Sequence, residues 1–224
     1  MAEAASLAPK LTREDKKTQR AERILDHAHA MIAEEGFDAL KIRELAERAE
    51  LTVPTIYNLI GGKGEILARI IEGLVERLHE VQSQSDFKDI EMGFEQQINR
   101  LADLFAEDED FYRAAFVAGD RSGLFEQRSD HGIFARSLQQ PVEACKAAQD
   151  AGLLKGAISA EQLGRQVYDS YRLARQDWAN GYFDLNGFRN QALTGVFMSL
   201  AADAAPEFRE RLLARISDLQ VTAE

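Results

Sequence analysis

The side chains best suited to specific recognition lie in the segment 52–58, which reads Thr-Val-Pro-Thr-Ile-Tyr-Asn. If the segment is helical, Val53 and Ile56 share the side that packs inward. The outward side then carries Pro54, Thr55 and Asn58. Outward threonine and asparagine side chains can hydrogen-bond to base edges, and proline or a threonine methyl can contact the methyl group of thymine. These residue types in this order therefore favour contact with the bases of DNA.

A second short helix is predicted directly before this segment. Apolar residues recur there at helical spacing, and two of them are small enough to let another helix pack closely. They are Ile42, Leu45, Ala46 and Ala49. Thr52 is expected to cap the following helix by accepting a hydrogen bond from a backbone N–H. Pro54 lies in the first turn of that helix, where the N–H that proline lacks would have no partner within the helix. The two helices form a helix-turn-helix, which presents its second helix to the major groove, with the Tyr57 hydroxyl at the flank near a phosphate.

The net charge of −11 is unevenly distributed along the 224 residues. Residues 1–64 carry 10 basic and 11 acidic side chains, whereas residues 65–224 carry 17 basic and 27 acidic ones. The acidity therefore lies mainly outside the predicted helix-turn-helix. A local excess of six basic over three acidic residues in segment 10–23 can follow a phosphate backbone, or it can be the solvated start of a helix.

Composition argues against several other classes of protein. One cysteine, Cys145, cannot form an internal disulfide, which is consistent with a reducing compartment. No apolar run approaches the roughly 20 residues of a membrane span, and the first nine residues lack the order of charged and apolar regions found in a signal peptide. We therefore expect a cytoplasmic protein without a membrane partner.

The helical periodicity and the positions of glycine and proline predict an all-α chain of about nine or ten helices. We expect a flexible tail over 1–13, a three-helix helix-turn-helix domain over 14–62, a connecting helix over 63–83 and a larger helical domain over 84–224. The first helix is expected over 14–35, ending near Gly36. In the larger domain the predicted helices span 89–107, 110–119, 124–151, 159–181, 185–203 and 206–220.

Residues 20–82 resemble the DNA-binding domain of the tetracycline-repressor-like (TetR) family of bacterial transcription regulators. The matching fragments are Arg23-Ile24-Leu25, Glu35 to Leu40, Ile42 to Ala46, Thr52, Thr55-Ile56-Tyr57, Lys63 and Glu65-Ile66-Leu67. The resemblance implies that the residues approaching bases are Arg43, Val53, Pro54, Thr55 and Asn58. It implies that the residues approaching phosphates are Lys41, Thr52, Tyr57 and Lys63. Two departures are Glu50, where the family often has glycine, and Lys41, where it usually has serine or threonine.

The helices predicted over 159–181 and 185–203 are candidates for a dimer interface. The second of them has one large apolar stripe and one stripe of smaller residues, and a helix with two such faces has two partners. Two helices from each subunit would then form a four-helix interface, in which the family also dimerises. The candidate residues are Trp178, Phe188, Ala192, Gly195, Val196 and Ser199. The alternative is packing within one chain.

Aromatic residues in the larger domain are candidates for an apolar ligand pocket with a few polar groups. The candidate lining residues are Phe105, Phe116, Phe134, Tyr168, Tyr171 and Arg175. Arg175 could receive an acidic ligand or pair with Asp177. The alternative for each of these aromatic residues is a place in an ordinary core.

An enzyme and a protein-binding adaptor are the other function classes to be weighed. His27 and His29 are two residues apart, so on a helix they do not share a face and do not form a metal-binding pair. The sequence predicts no catalytic residue, no metal and no cofactor, while a helical adaptor that binds only protein stays open. With the resemblance, the favoured prediction is a homodimeric repressor that binds a palindromic operator on double-stranded DNA and is released by a small, largely apolar effector.

Overall fold

A computed structural model describes residues 12–126 and 133–221 of the chain. Within these ranges the chain forms ten α-helices and no β-strand, which confirms the predicted all-α class. The helices are α1 Arg13–Glu35, α2 Ile42–Arg48, α3 Val53–Leu59, α4 Lys63–Ser83, α5 Ile90–Glu107, α6 Glu109–Arg121, α7 Ile133–Asp150, α8 Ala160–Ala179, α9 Leu185–Ala201 and α10 Pro206–Val221. Two 3₁₀ turns cover Phe37–Ala39 and Leu124–Glu126.

The chain divides into two units, the N-terminal unit Met1–Ile70 and the C-terminal unit Ile71–Glu224. The division falls inside α4, the helix expected from sequence to connect two domains. In the described residues no helix combines the length and the apolar character that a membrane crossing requires.

In the N-terminal unit, α1 has a defined beginning and end. The hydroxyl of Thr12 accepts a hydrogen bond from the Asp15 N–H, and the Asp15 carboxylate accepts one from the Thr12 N–H. These reciprocal bonds form a capping box, and they lower the pKa of Asp15. The helix ends at Gly36, whose φ of 79° suits glycine. Of the predicted flexible tail, residues 1–11 lie outside the described residues, and the capped start of α1 holds the rest.

One helix of the C-terminal unit was predicted with the wrong boundary. The periodicity over 124–151 indicated a single helix, but the chain has a 3₁₀ turn at Leu124–Glu126, and α7 begins only at Ile133. The helix before it ends in a left-handed turn at Gly123, with φ of 69°, so the chain changes direction there. The other predicted helices of this unit begin and end within two residues of the observed positions.

The core of the C-terminal unit is built around α8 and α9, which pack on each other and on α5, α7 and α10. Close approach depends on glycine at two positions. A Cβ at Gly164 would lie 2.6 Å from the backbone nitrogen of Val142, and one at Gly195 would lie 2.7 Å from Cβ of Ser170. The fully buried Asp203 accepts hydrogen bonds from the N–H groups of three consecutive loop residues. Those residues are Gly156, Ala157 and Ile158.

Candidate nucleic-acid interface and ligand cavity

Helix α3 separates a packed side from an open side within seven residues. Ile56 is completely buried, whereas Tyr57 on the open side is 56 % exposed. Pro54 and Asn58 are also exposed, and Thr55 is half-buried. The helix thus presents polar and small side chains to the outside while its branched apolar residue holds it to the unit. A surface of this kind suits contact with base edges in a major groove.

Thr52 occupies the position before α3 with extended backbone, as an N-cap residue does, but its side chain makes no capping hydrogen bond. Its hydroxyl instead lies 2.8 Å from the hydroxyl of Thr55. The predicted capping bond is therefore corrected: the partner of Thr52 is the side chain one helical turn ahead, not a backbone N–H. The paired hydroxyls still have lone pairs or a proton with which to meet another molecule.

The turn between α2 and α3 contains a non-glycine residue in the left-handed region. Glu50 has φ of 53°, a conformation that costs residues with a Cβ about 1–2 kcal/mol. The turn is closed by hydrogen bonds from the N–H of Glu50 to the Glu47 carbonyl and from the N–H of Leu51 to the Ala46 carbonyl. The position where the family often has glycine thus has the left-handed backbone that glycine adopts without strain.

Arg48 fixes α2 against α1 and was not singled out by the sequence. Its guanidinium donates to Glu34 on α1 at 2.7 Å and to Glu44 on α2 at 3.1 Å. The bond to Glu34 raises the pKa of Arg48. The residue is 14 positions from Glu34, so no local periodicity connects the two. Arg48 therefore positions the helix-turn-helix and is not available as a free cation for DNA.

The three basic residues that the resemblance implies as DNA contacts differ in how firmly they are held. Arg43 pairs with Glu47 at 3.4 Å, and both side chains are largely exposed, so the pair is weak and easily exchanged. Lys41 is exposed and precedes α2 without a side-chain capping bond. Lys63 donates to the Asp38 carbonyl at 2.8 Å and lies 4.8 Å from the centre of the Phe37 ring. Lys63 is therefore anchored at the start of α4.

The C-terminal unit contains a cavity of about 260 Å³. The second half of α4 forms one wall, and residues of α7 and α8 form the others. The lining residues are Val75, Glu76, Leu78, His79, Glu80, Gln82, Phe125, Arg136, Ser137, Tyr168, Tyr171 and Arg175. The volume lies a little below the roughly 300–1,000 Å³ of pockets for drug-sized ligands. Three of the predicted pocket residues, Tyr168, Tyr171 and Arg175, line it.

Arg175 is the buried cation of this cavity, with 3 % of its surface exposed. It donates to the Asp120 carboxylate on α6 at 2.8 Å. Its guanidinium carbon also lies 4.6 Å and 4.8 Å from the ring centres of Phe116 and Phe125, which is cation–π distance. The predicted partner Asp177 is thus replaced by Asp120. The Nε atom of Arg175 is buried without a hydrogen-bond partner.

Two tyrosines stand beside Arg175 on α8, with ring centres 6.3 Å apart. Burial raises the pKa of Tyr168 and that of Tyr171, and in each case nearby Arg175 opposes the shift. Both are therefore neutral phenols at ordinary pH. Interaction with Ser137 also lowers the pKa of Tyr168, whereas the Tyr171 hydroxyl is buried and has no hydrogen-bond partner in the described residues.

The remaining predicted pocket residues lie elsewhere. Phe105 is completely buried and stacks on Trp178, with ring centres 5.0 Å apart and planes inclined by 13°. Phe116 lies in the same aromatic cluster, behind Arg175 rather than at the cavity surface. The side chain of Phe134 lies outside the described residues. Phe105 and Phe116 thus belong to the core of this unit.

The six residues predicted for a dimer interface are all engaged within their own chain. Four of them are buried in the core of the C-terminal unit, namely Trp178, Phe188, Ala192 and Val196. Gly195 gives α8 room to approach α9, and the Ser199 hydroxyl donates to the Gly195 carbonyl at 2.6 Å. The large apolar side chains that α8 and α9 leave exposed are Leu173, at 53 %, and Met198, at 60 %.

The described residues contain no cluster of three or more histidine, cysteine or acidic side chains able to hold a metal ion. Cys145 is buried, and burial raises the pKa of its thiol to about 12. A thiol with that pKa is protonated at neutral pH and is therefore a poor nucleophile.

Comparison with known proteins identifies the N-terminal unit. Residues 24–70 match the family model for bacterial regulatory proteins of the tetR family, which confirms the resemblance drawn from the sequence. The matched segment contains α2, α3 and the turn between them. No curated protein sequence matches the chain significantly.

Solved structures match over most of the chain. SmeT, the repressor of the multidrug efflux pump SmeDEF from Stenotrophomonas maltophilia, is 21 % identical, with a TM-score of 0.67 over 86 % of this chain and 94 % of that one. A TetR-family transcriptional regulator from Pectobacterium atrosepticum is 20 % identical, with a TM-score of 0.65 over 87 % of this chain and 98 % of that one. The fatty acid degradation regulator FadR from Bacillus halodurans is 16 % identical, with a TM-score of 0.64 over 79 % of this chain and 94 % of that one. At these identities the likeness shows a shared fold.

Proposed function

The chain carries the N-terminal domain of TetR-family bacterial regulatory proteins, and from this premise we propose that it is a ligand-responsive transcriptional repressor. As a homodimer in the cytoplasm it binds a palindromic operator on double-stranded DNA. A small, largely apolar effector, bound in the cavity of the C-terminal unit, releases it. It is not an enzyme.

The observation that carries this proposal is the open side of α3. Tyr57 and Asn58 are exposed next to the fully buried Ile56, so the helix can enter a groove without unfolding its own packing. Asn58, Thr55 and Pro54 then contact base edges, while Tyr57, Thr52 and Lys41 contact phosphates. Arg43 and Val53 complete the base contacts; Val53 is only partly buried at the first position of α3. The anchored Lys63 contacts a phosphate at the start of α4.

Dimerisation is supported by the exposed apolar surface of α8 and α9. Leu173 and Met198 are large side chains that lose contact with water when a second copy covers them. A dimer doubles the reading surface and requires two half-sites separated by one helical turn of DNA, about 34–36 Å, or a multiple of it. An effector that changes this separation lowers operator affinity without changing either DNA-contacting surface.

The repressor role is supported by SmeT, which shares the fold and is a repressor. The effector role is supported by the cavity, whose lining combines apolar side chains with buried polar groups. A protein-binding adaptor remains the alternative. It requires none of the residues on the open side of α3 to contact DNA, which gives a direct way to separate the two.

The test is selection of bound fragments from the source genome, followed by fluorescence anisotropy of the purified protein on the selected site. We expect affinity to fall steeply with salt, because counterions are released when phosphates are contacted. Tyr57→Phe should weaken binding to all sequences by a similar factor, because a phosphate contact positions the protein without reading the sequence.

The matched control is Tyr182→Phe, since Tyr182 is an exposed tyrosine of the C-terminal unit that should not affect DNA binding. Unchanged affinity of the Tyr57→Phe protein would remove the phosphate assignment of that residue. No selected fragment, or binding that is insensitive to salt, would favour the adaptor.

A further inference from the structure

We propose that the cavity of the C-terminal unit binds a small, neutral, largely apolar molecule that presents one acceptor oxygen, such as a ketone or ester carbonyl, to Tyr171 and Arg175. The inference rests on the proposed function, because it names the chemical class of the effector. It is carried by two unsatisfied donors at one cavity and by the charge balance around them.

The two donors are buried and adjacent on α8. In the described part of the chain neither the Tyr171 hydroxyl nor the Arg175 Nε has a hydrogen-bond partner, and both atoms are shielded from water. Tyr171 is 8 % exposed and Arg175 is 3 % exposed, yet both side chains line the same cavity. Buried polar groups without a hydrogen-bond partner are rare in folded proteins, because such a group has lost its bonds to water without gaining others. A ligand that displaces the atoms covering them can satisfy both with a single oxygen.

The charge balance favours a neutral oxygen over a carboxylate. The positive charge of Arg175 is already compensated by Asp120 at 2.8 Å. A second anion at Arg175 would sit close to the Asp120 carboxylate in a region shielded from water, where like charges repel strongly. The other ionisable side chains that line the cavity are two acidic ones, Glu76 and Glu80, and two basic ones, Arg136 and His79. Together they give the rest of the wall no net positive charge. A carbonyl oxygen accepts hydrogen bonds without this repulsion.

The shape of the cavity limits the size of the molecule. At about 260 Å³ it suits a compact ligand. A second void of about 20 Å³ shares Gln82, Ser137, Tyr168 and Tyr171 with it and is otherwise lined mainly by apolar side chains. Movement of the tyrosines on ligand binding would join the two spaces and give an apolar end of the ligand a place to lie.

The two donors also supply what an effector needs to change a conformational equilibrium. A ligand shifts an equilibrium only by as much as its interactions differ between the two states. The Tyr171 hydroxyl and the Arg175 Nε lack hydrogen-bond partners within the described part of the chain, and a ligand oxygen supplies one to both. These two hydrogen bonds are formed only when the ligand is bound. They therefore stabilise the conformation of α8 in which both donors point toward the ligand.

The experiment compares three probes with the same apolar part by isothermal titration calorimetry on the full-length chain. They are 4-phenylbutan-2-one, 3-phenylpropanoate and butylbenzene, which carry a carbonyl, a carboxylate and no oxygen. We expect the ketone to bind about tenfold more tightly than either of the others, as net hydrogen bonds to two donors allow. Tyr171→Phe should lower ketone affinity to that of butylbenzene and leave butylbenzene binding unchanged.

Folding controls keep the result interpretable. Tyr171→Phe removes an unsatisfied buried hydroxyl, so the Tm of the empty variant should equal or exceed that of the wild type. Tyr182→Phe, on an exposed tyrosine, should leave all three affinities unchanged. Arg175→Lys keeps a cation beside Asp120 and removes Nε, and it should reduce ketone binding in the same direction.

Several results would overturn the inference. These are equal affinity for ketone and butylbenzene, tighter binding of the carboxylate, binding of none of the probes, or unchanged ketone affinity in Tyr171→Phe. DNA binding is measured separately on the wild type without any probe. Probe binding in a chain that fails to bind DNA would remove the proposed function and leave the cavity chemistry intact. DNA binding without probe selectivity would leave the proposed function intact and remove the inference about the cavity.

Discussion

In the N-terminal unit, the side chains proposed to recognise DNA lie on the outside of a seven-residue helix, whereas in the C-terminal unit the donors proposed to meet a ligand are buried on a helix of 20 residues. DNA is large and reaches an exposed surface without displacing protein atoms. A small molecule gains most from a site that excludes water, where hydrogen bonds are strong and unmet donors are costly. The size of the partner thus accounts for the opposite placement of the two sets of functional groups.

This difference determines what a substitution should do in each unit. A functional residue on the outside of α3 can be removed with little effect on folding, because it has few contacts within the chain. A residue beside the cavity shares its neighbours with the core, so a substitution that removes packed atoms changes stability and binding together. Tyr171→Phe is the exception, because it removes only a hydroxyl without a hydrogen-bond partner. Measuring both properties for matched variants of the two units tests whether the distinction holds.

The largest effect is expected for Phe105→Ala in the C-terminal unit. Phe105 is completely buried and stacks on Trp178, so its removal leaves a cavity and should lower the free energy of unfolding by about 3–5 kcal/mol. Denaturant unfolding followed by near-ultraviolet circular dichroism measures the loss. Phe105→Leu fills part of the space and should cost less. Wild-type stability of the Phe105→Ala chain would show that this residue is not part of the core.

Phe105 also shows where sequence reasoning reached its limit. The family match of residues 24–70, the all-α class and most helix boundaries were predictable, because capping residues, glycines and apolar periodicity act within a few residues along the chain. A sequence pattern cannot separate an aromatic residue of the core from one that lines a cavity, since both are apolar and helical. Placement of the polar wall of the cavity likewise depends on contacts between distant residues, such as the hydrogen bond from Arg175 to Asp120, 55 positions away. Arg48 and Glu34 were missed for the same reason.

An intermediate effect is expected for Asn58→Ala in the N-terminal unit. Asn58 is exposed, so the free energy of unfolding should change by less than about 0.5 kcal/mol. Discrimination at one base position should fall by about 1–3 kcal/mol, the range for a good side-chain contact to a base. Competition binding with operators changed one base pair at a time measures this. Uniform weakening at all positions would indicate a phosphate contact instead, and a large loss of stability would contradict the contrast between the units.

The smallest effect is expected for Glu50→Gly, and its sign is opposite to the others. Relief of the left-handed strain at φ of 53° favours the variant by about 1–2 kcal/mol, while the greater freedom of glycine in the unfolded chain opposes it by about 0.4–1 kcal/mol. The net expectation is a gain of about 0.5–1 kcal/mol in the free energy of unfolding, measured by denaturant titration.

Glu50→Gln separates the two roles of this position. Glutamine keeps the strained turn and removes the charge, so it should leave stability nearly unchanged. Both variants remove a negative charge close to the proposed DNA surface and should raise operator affinity by a similar factor that shrinks with added salt. If only Glu50→Gly raises affinity, the strained turn rather than the charge restrains α3. In both units a substitution would then change binding and folding stability together. The two units would differ less in this respect than their exposed and buried sites suggest.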